Sequence, residues 1–403
     1  MGDAARVMRT DRYLKPSDRR SSAHGPSAHA NSAIHPWSRI PRRSPPSRWY
    51  AVKSTAHTCR TRRATEFGDT LRTVLLVAQV TAADGTDLSE LMALVERRYR
   101  TRPARVFSPG EDVVRIGGAL YDAEEVKGVL RVLLSGWISM GPETLAFERA
   151  YASYVGVRAG VAVNSGSSAN LVAYAALLET GRLHRGQEVV APAATFTTVI
   201  SPLLQLGLRP VIVDVDPFTY NISAETVAPA ISPDVGAMMV VHTLGLPAEL
   251  DSLASLARSH RLILFEDCCE AHGTRYHGRV AGSVGDIATT SFYVAHNMTT
   301  GEGGMVLTSD PDLEAAARSL REFGRMLLDH PVRYSYDDGI LRNYDERYVF
   351  ERLGYNMRMT DMAAALGIEQ LRKLDAMNRH RVATSAYYSC LLYTSDAADD
   401  LTR

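Results

Sequence analysis

Three short segments of this chain carry residue types that can do chemistry together. The first is Asn164-Ser165-Gly166-Ser167-Ser168-Ala169-Asn170. Between a strand and a helix, such small residues let backbone N–H groups and hydroxyls close on a phosphate at a helix N-terminus, where the dipole favours an anion. The same string also reads as a good turn with an N-cap. The second segment is Glu266-Asp267-Cys268-Cys269-Glu270, at the end of the apolar run Leu262 to Phe265. Ligands of open α/β sheets sit at the carboxyl ends of the strands. A carboxylate there can hold a protonated ring nitrogen and make the ring an electron sink, the plainer alternative being that Asp267 caps a helix. The third segment is Ser291-Phe292-Tyr293-Val294-Ala295-His296-Asn297, followed by Thr299-Thr300-Gly301-Glu302-Gly303-Gly304. An imidazole such as that of His296 serves as general base or acid near neutral pH. The adjacent Cys268 and Cys269 read as core fillers, because consecutive side chains of a strand point to opposite faces. No metal site is evident, and His242 and His272 read as structural residues.

These segments need elements to position them. Between Gly160 and Asp310, short β-branched runs (Val161 to Val163, Glu188 to Ala191, Val211 to Val215, Met238 to Val241, Leu262 to Phe265) alternate with helix-like stretches at Ala169 to Leu178 and Leu250 to Ser259. That alternation predicts a mostly parallel sheet with helices on both faces, the α/β class. Helical spacing also marks ELMALVERRY and AEEVKGVLRVLL upstream, a helix over Pro311 to Phe323 and a long one from about Thr360 to Asn378, with a polar loop holding Asp337, Asp338 and Gly339 between them.

Composition narrows the classes. The 403 residues hold 45 Lys+Arg against 45 Asp+Glu, with 45% hydrophobic and 22% charged residues, which excludes a fibrous or wholly disordered protein. The balance is uneven: residues 1 to 66 hold fourteen Lys+Arg and four Asp+Glu, so they are net +10 and the remainder net −10. The folded part is therefore acidic and no nucleic-acid surface is expected on it. Residues 1–70 are Arg/Ser/Pro-rich without helix or strand period, and are expected to be a disordered basic tail or spurious upstream translation; a tail binding nucleic acid is the competing reading, but no folded DNA-reading module is visible. Four cysteines, two of them adjacent, suit a reducing compartment, so the cytoplasm is expected. No apolar run approaches the roughly 20 residues that span a bilayer, so no membrane partner is expected. The ending SCLLYTSDAADDLTR bears no relation to the helix before it and reads, over 389–403, as an artefactual or disordered tail on a truncated chain.

Taken together, the three segments resemble the DegT/DnrJ/StrS family of nucleotide-sugar aminotransferases, pyridoxal 5′-phosphate enzymes of fold type I. The resemblance runs from about Phe107 to Ala386 through NSGSSAN, APAATFTT, PVIVDVDPFTYNI, HTLGLPAELD, EDCCEAHG, GSVGDIATTSFY, GEGG and GYNMRMTDMAAALG. It implies an N-terminal helical segment at 88–155, a cofactor-binding α/β domain at 156–325, and the start of a small domain, otherwise mostly missing, at 326–388. By the same resemblance Ser167, Ser168 and Ser291 bind the cofactor phosphate, joined by Asn356 from a neighbouring subunit of a homodimer. Phe196 stacks on the pyridine ring, Asp267 pairs with the ring nitrogen, and Glu270 lies near the ring hydroxyl where Gln or His is more usual. For Tyr293, Arg358 and Glu302 a core role is as good a reading as a functional one.

One departure decides the expected chemistry. Where the aminotransferases carry the lysine that binds the cofactor covalently, this chain has His296, which has no primary amine. That change resembles the 3-dehydratase branch, which acts on nucleotide-linked 4-keto-6-deoxyhexoses for surface polysaccharide. The cofactor is then expected to rest as pyridoxamine 5′-phosphate and to condense with the sugar 4-keto group. His296 removes the methylene proton, Asp267 keeps the ring nitrogen protonated, and the C3 hydroxyl leaves. Glutamate is the expected amino donor. An iron-sulfur cluster needs more thiolates than Cys268 and Cys269 offer, and no cysteine occurs from Glu270 to Ser389. A nucleotide-sugar aminotransferase and a catalytically dead homologue are the alternatives.

Overall fold

The computed structural model of this protein describes residues 88–102, 107–113, 118–327 and 348–394. The expected basic tail at 1–70, the loop at Asp337, Asp338 and Gly339, and the chain from 395 onward lie outside the described residues.

A seven-stranded sheet forms the centre. Its strands are β1 (Ala159–Val163), β2 (Glu188–Pro192), β3 (Arg209–Val213), β4 (Val235–Val241), β5 (Ile263–Asp267), β8 (Ile287–Ser291) and β9 (Gly304–Thr308), in the order β1-β9-β8-β5-β4-β2-β3. The ladders from β3 through β2, β4 and β5 to β8 are parallel, whereas β9 runs antiparallel to both β8 and β1. A separate ribbon pairs β6 (Arg275–Tyr276) with β7 (Arg279–Val280). Every residue of β1, β2, β8 and β9 is buried, as required of strands covered on both faces. The expected α/β architecture is therefore present. The strands β8 and β9 were not among the expected ones. In β8 the reason is visible: Thr289 and Thr290 are buried polar residues satisfied by Asn170 Oδ1 at 2.6 Å and the Cys268 carbonyl at 3.3 Å, so the burial of IATTS does not show as apolarity.

Helices α1 (Leu88–Arg100), α2 (Ala123–Ser135) and α3 (Pro142–Val155) precede the sheet; α4 (Gly166–Glu179), α5 (Thr197–Gln205), α6 (Ala224–Val227), α7 (Leu250–His260), α8 (Pro311–Arg321) and α9 (Asp361–Thr394) follow in chain order. On one face α4 and α8 bury Val172, Tyr174, Leu177, Leu313 and Leu320 against Phe265 and Val306. On the other, Leu253 and Ala257 of α7 pack on Met238 and Val240, while Phe147 and Tyr151 of α3 join Leu374 of α9 over Met305 and Leu307. Each fully buried aromatic or aliphatic side chain contributes about 1.5–3 kcal/mol, so these layers hold the strand ends in fixed positions.

Two polar devices tie the outer helices down. Gly141 caps α3 without a side chain, and Asp361 at the start of α9 supplies the acceptor instead, taking hydrogen bonds from the N–H of Gly141 at 2.7 Å and of Thr144 at 2.9 Å, and from the Thr144 hydroxyl at 2.6 Å. Glu148 of α3 is buried between Arg318 and Arg321 of α8 and also accepts the Ala162 N–H of β1 at 2.9 Å. The helix expected to end near Asn378 continues through Thr394. The segment Arg379 to Thr394 contains neither glycine nor proline, and nothing in it stops a helix already under way.

Candidate functional site

The carboxyl ends of the parallel strands gather at one edge of the sheet, and the chemistry-bearing segments gather there with them. Beyond β1, Ser165 caps α4: its Oγ accepts the Ser168 N–H at 3.1 Å and lies 2.9 Å from Ser168 Oγ. Ser167 is exposed and Ser168 half-buried at the first turn of this 14-residue helix. Gly166 is required by a close approach, since a Cβ there would stand 2.5 Å from Ser291 Cβ and 3.0 Å from Ser291 Oγ. The glycine thus brings the end of β8 against the helix start, so that Ser291 Oγ stands beside the first turn of α4, which carries Ser167 and Ser168. Hydroxyls and N–H groups at a helix start are the donor set of a phosphate cradle.

Asp267, the last residue of β5, is 4% exposed. Its Oδ2 accepts from Asn170 Nδ2 at 3.0 Å and its Oδ1 from the Cys269 N–H at 3.0 Å. Asn170 is itself fixed: its Oδ1 accepts the Thr289 hydroxyl at 2.6 Å and its Nδ2 also reaches the Thr198 carbonyl at 3.2 Å. Asn170 lies two residues after Ser168, about 3 Å along the helix axis. One helix therefore carries both the hydroxyls and N–H groups of its first turn and the residue that orients the carboxylate, a set that could hold a ligand with a phosphate at one end and a basic ring nitrogen at the other.

His296 is half-buried in the turn after β8, its N–H donating to the Tyr293 carbonyl at 3.0 Å. Burial lowers its pKa, opposed in part by the negative charges of Glu270 and Asp267. A half-buried imidazole whose burial favours the neutral form, within electrostatic reach of two carboxylates, is equipped to take up a proton. Behind it, at 6.4 Å between ring centres, lies His272, buried and pushed down to about 3 by desolvation. His272 Nε2 is 2.7 Å from the Ser291 carbonyl, which only accepts, so Nε2 carries the hydrogen and Nδ1 accepts from the Tyr151 hydroxyl at 2.7 Å.

The remaining expected residues fall as follows. Phe196, at the N-cap of α5 beyond β2, is 72% exposed, with its ring free of the core. Glu270 is exposed and its Oε2 accepts the Leu244 N–H at 2.9 Å, bracing a loop in which Leu244 takes a left-handed φ of 53°. Asn356 is exposed in a bridge opposite Glu322, its Oδ1 accepting from Arg358 Nε at 3.3 Å. The neighbouring Met357 carbonyl accepts the Asn164 N–H at 3.0 Å, so this segment runs beside the end of β1. Cys268 and Cys269 lie just past β5 rather than within it. His242, Glu266 and Cys268 come together in the interior, but Glu266 is already filled by His242 Nε2 and the N–H groups of Gly282, Val284 and Gly285, all within 2.9 Å. That makes it a structural knot.

Sequence reasoning passed over Asn170, quoted only as the end of a turn motif, and Tyr151. It also passed over a plainer signal. The chain has four lysines, at 15, 53, 127 and 373, and none from 128 to 372. Lys127 is paired with Glu96 and Glu124, and Lys373 with Asp122 and Glu125. Among the described residues no lysine stands at the strand-end site.

Comparison with known proteins finds relatives of this chain. Residues 120–400 match the DegT/DnrJ/EryC1/StrS aminotransferase family. The chain is 39% identical over 303 residues to dTDP-4-dehydro-2,6-dideoxy-D-glucose 3-dehydratase of Saccharopolyspora spinosa, covering 72% of this chain and 66% of that protein. It superposes with a TM-score of 0.65 and 31% identity on a variant of GDP-4-keto-6-deoxymannose-3-dehydratase with bound GDP-perosamine, covering 70% of this chain and 73% of the other. A second structure of an enzyme of that name, holding a trapped adduct of PLP and glutamate, gives a TM-score of 0.60 at 32% identity, covering 65% and 68%. The chain spans about two thirds of the length of the curated relatives it matches.

Proposed function

The chain belongs to the DegT/DnrJ/EryC1/StrS aminotransferase family, and from that premise we propose that it is a pyridoxamine-phosphate-dependent 3-dehydratase of a nucleotide-linked 4-keto-6-deoxyhexose, serving polysaccharide synthesis with glutamate as amino donor. The observation that carries this reading is His296 in a lysine-free site, flanked electrically by Asp267 and Glu270. The naming of the similar proteins as sugar 3-dehydratases supports it.

The residues fit the cofactor. Ser167, Ser168 and Ser291 with the start of α4 would hold its phosphate, Asp267 its ring nitrogen, and Phe196 the face of its ring, with Asn356 of a second subunit completing the phosphate site. Bound there, the cofactor supplies an amine that condenses with the substrate ketone and a protonated ring that takes up the electron pair released next to it. The protein's own part is proton management. Asp267, oriented by Asn170 and the Cys269 N–H, keeps a cation paired at the ring nitrogen. The neutral His296 imidazole accepts a proton at a ring nitrogen and can return it to a departing hydroxyl. Without a primary amine at this position the protein cannot hold the cofactor covalently, and the nitrogen brought by the cofactor would be released as ammonia by hydrolysis, so that the sugar leaves as a ketone.

The test is direct: His296→Lys should abolish loss of the C3 hydroxyl and allow a borohydride-stable adduct with pyridoxal phosphate. Retained dehydration in that variant would sink the reading.

A further inference from the structure

Resting on the reading of His296 as the proton acceptor, we propose that Arg381 and Asn378 of α9 are positioning residues that clamp the backbone on both sides of His296. Arg381 extends both arms of its guanidinium: one nitrogen donates to the Asn297 carbonyl at 2.8 Å, the other to Asn378 Oδ1 at 3.0 Å. Asn378 in turn donates through Nδ2 to the His272 carbonyl at 2.7 Å, and its Oδ1 accepts from Asn297 Nδ2 at 3.4 Å. His272 passes the link on, its Nε2 donating to the Ser291 carbonyl at 2.7 Å. One turn of a long helix is thereby joined to Asn297, immediately after His296, and through His272 to Ser291, five residues before it.

The fold makes room for this clamp at a specific point. Gly273 has a left-handed φ of 79°, and a Cβ on it would stand 2.5 Å from the Tyr154 hydroxyl and 2.9 Å from Asn378 Nδ2. A larger residue would push Asn378 off the His272 carbonyl. The turn that carries His296, from Tyr293 to Met298, lies in no helix or strand of its own. Within it the His296 N–H bonds the Tyr293 carbonyl; the rest of its geometry depends on bonds from outside, and a proton-transfer group must be held to within a fraction of an ångström to act. Arg is suited to this task, since a planar fork satisfies two acceptors at once where a lysine satisfies them less well.

The experiment measures amide hydrogen exchange by mass spectrometry on the cofactor-free full chain, so that it stands apart from any assay of dehydration. Arg381→Ala should raise exchange in the peptide covering 293–298 tenfold or more while β4 and β5 exchange as in the wild type. Asn378→Ala, which leaves the Arg381 bond to the Asn297 carbonyl in place, should raise it less, and Arg381→Lys should fall between wild type and alanine. In steady-state assays of the loaded enzyme the same variants should lower kcat with KM nearly unchanged. Wild-type exchange at 293–298 in Arg381→Ala would overturn the proposal. So would an equal rise across loop and sheet in both alanine variants, since the effect would then be one of general stability. A local rise in exchange combined with failure of His296→Lys to alter the reaction would leave the clamp standing and the dehydratase reading refuted.

Discussion

Asn170 and Asp267 are joined by a 3.0 Å hydrogen bond from the amide nitrogen to Oδ2, buried between the first turns of α4 and the end of β5. The bond makes the orientation of the carboxylate a property of the same helix whose start presents Ser167 and Ser168. Substituting Asn170 by Ala should leave Asp267 short of a donor and lower kcat/KM by roughly tenfold to a hundredfold, in line with about 1–3 kcal/mol for an unpaired buried partner. Asp267→Asn, which removes the charge, should cost more, on the order of a thousandfold. Steady-state kinetics of the two variants checks the order; equal losses would mean that Asp267 acts through packing alone.

The pH profile follows from His296. Burial lowers its pKa, while Glu270 and Asp267 pull it back up. A base works unprotonated, so the acid limb of kcat/KM should lie below about 6.5, the ordinary histidine value. Glu270→Gln keeps an oxygen for the Leu244 N–H and removes one negative charge, so the limb should move to still lower pH. A limb that rises above 6.5 in that variant would contradict the electrostatic picture.

Stability should depend on His272. In the folded protein its ring stays neutral down to about 3; in the unfolded chain it takes a proton below about 6.5. The contribution is therefore fully present above 6.5 and is lost progressively as pH falls toward the folded value. Between pH 7.5 and pH 5 the loss from this residue is about 2 kcal/mol. Urea unfolding at the two pH values, in the wild type and in His272→Gln, should show that much less pH dependence in the variant.

Gly166 offers a steric test. With Ser291 Cβ only 2.5 Å from where its own Cβ would be, Gly166→Ala must push β8 away from the start of α4. Affinity for pyridoxal phosphate, read from absorbance titration, should fall at least tenfold while far-ultraviolet circular dichroism stays near wild type. Unchanged affinity would remove Ser291 from the cradle.

Much of the frame was legible in the chain. The apolar runs at Val161 to Val163, Met238 to Val241 and Leu262 to Phe265 become β1, β4 and β5 because strands buried on both faces are mostly apolar. His296, Asp267 and the serines of NSGSSAN were singled out because groups able to carry a proton or bind an anion stood near strand ends, and because their motifs resemble those of the family. What escaped was carried by pairs distant in sequence. Asn170 with Asp267, Asp361 with Thr144, and Arg381 with Asn297 lie 97, 217 and 84 residues apart, and no local period announces such contacts. The strand β8 escaped because its buried threonines are satisfied by partners that only the folded chain supplies.

The most direct measurement is the mass of the sugar formed when the chain, loaded with pyridoxamine phosphate, meets a nucleotide-linked 4-keto-6-deoxyhexose, with glutamate present to restore the cofactor. A His296 base in a lysine-free site predicts a nucleotide sugar with one oxygen fewer than the substrate and no nitrogen added to the hexose, together with released ammonia. A 4-amino sugar that keeps its C3 oxygen would contradict it and assign the chain to amino transfer.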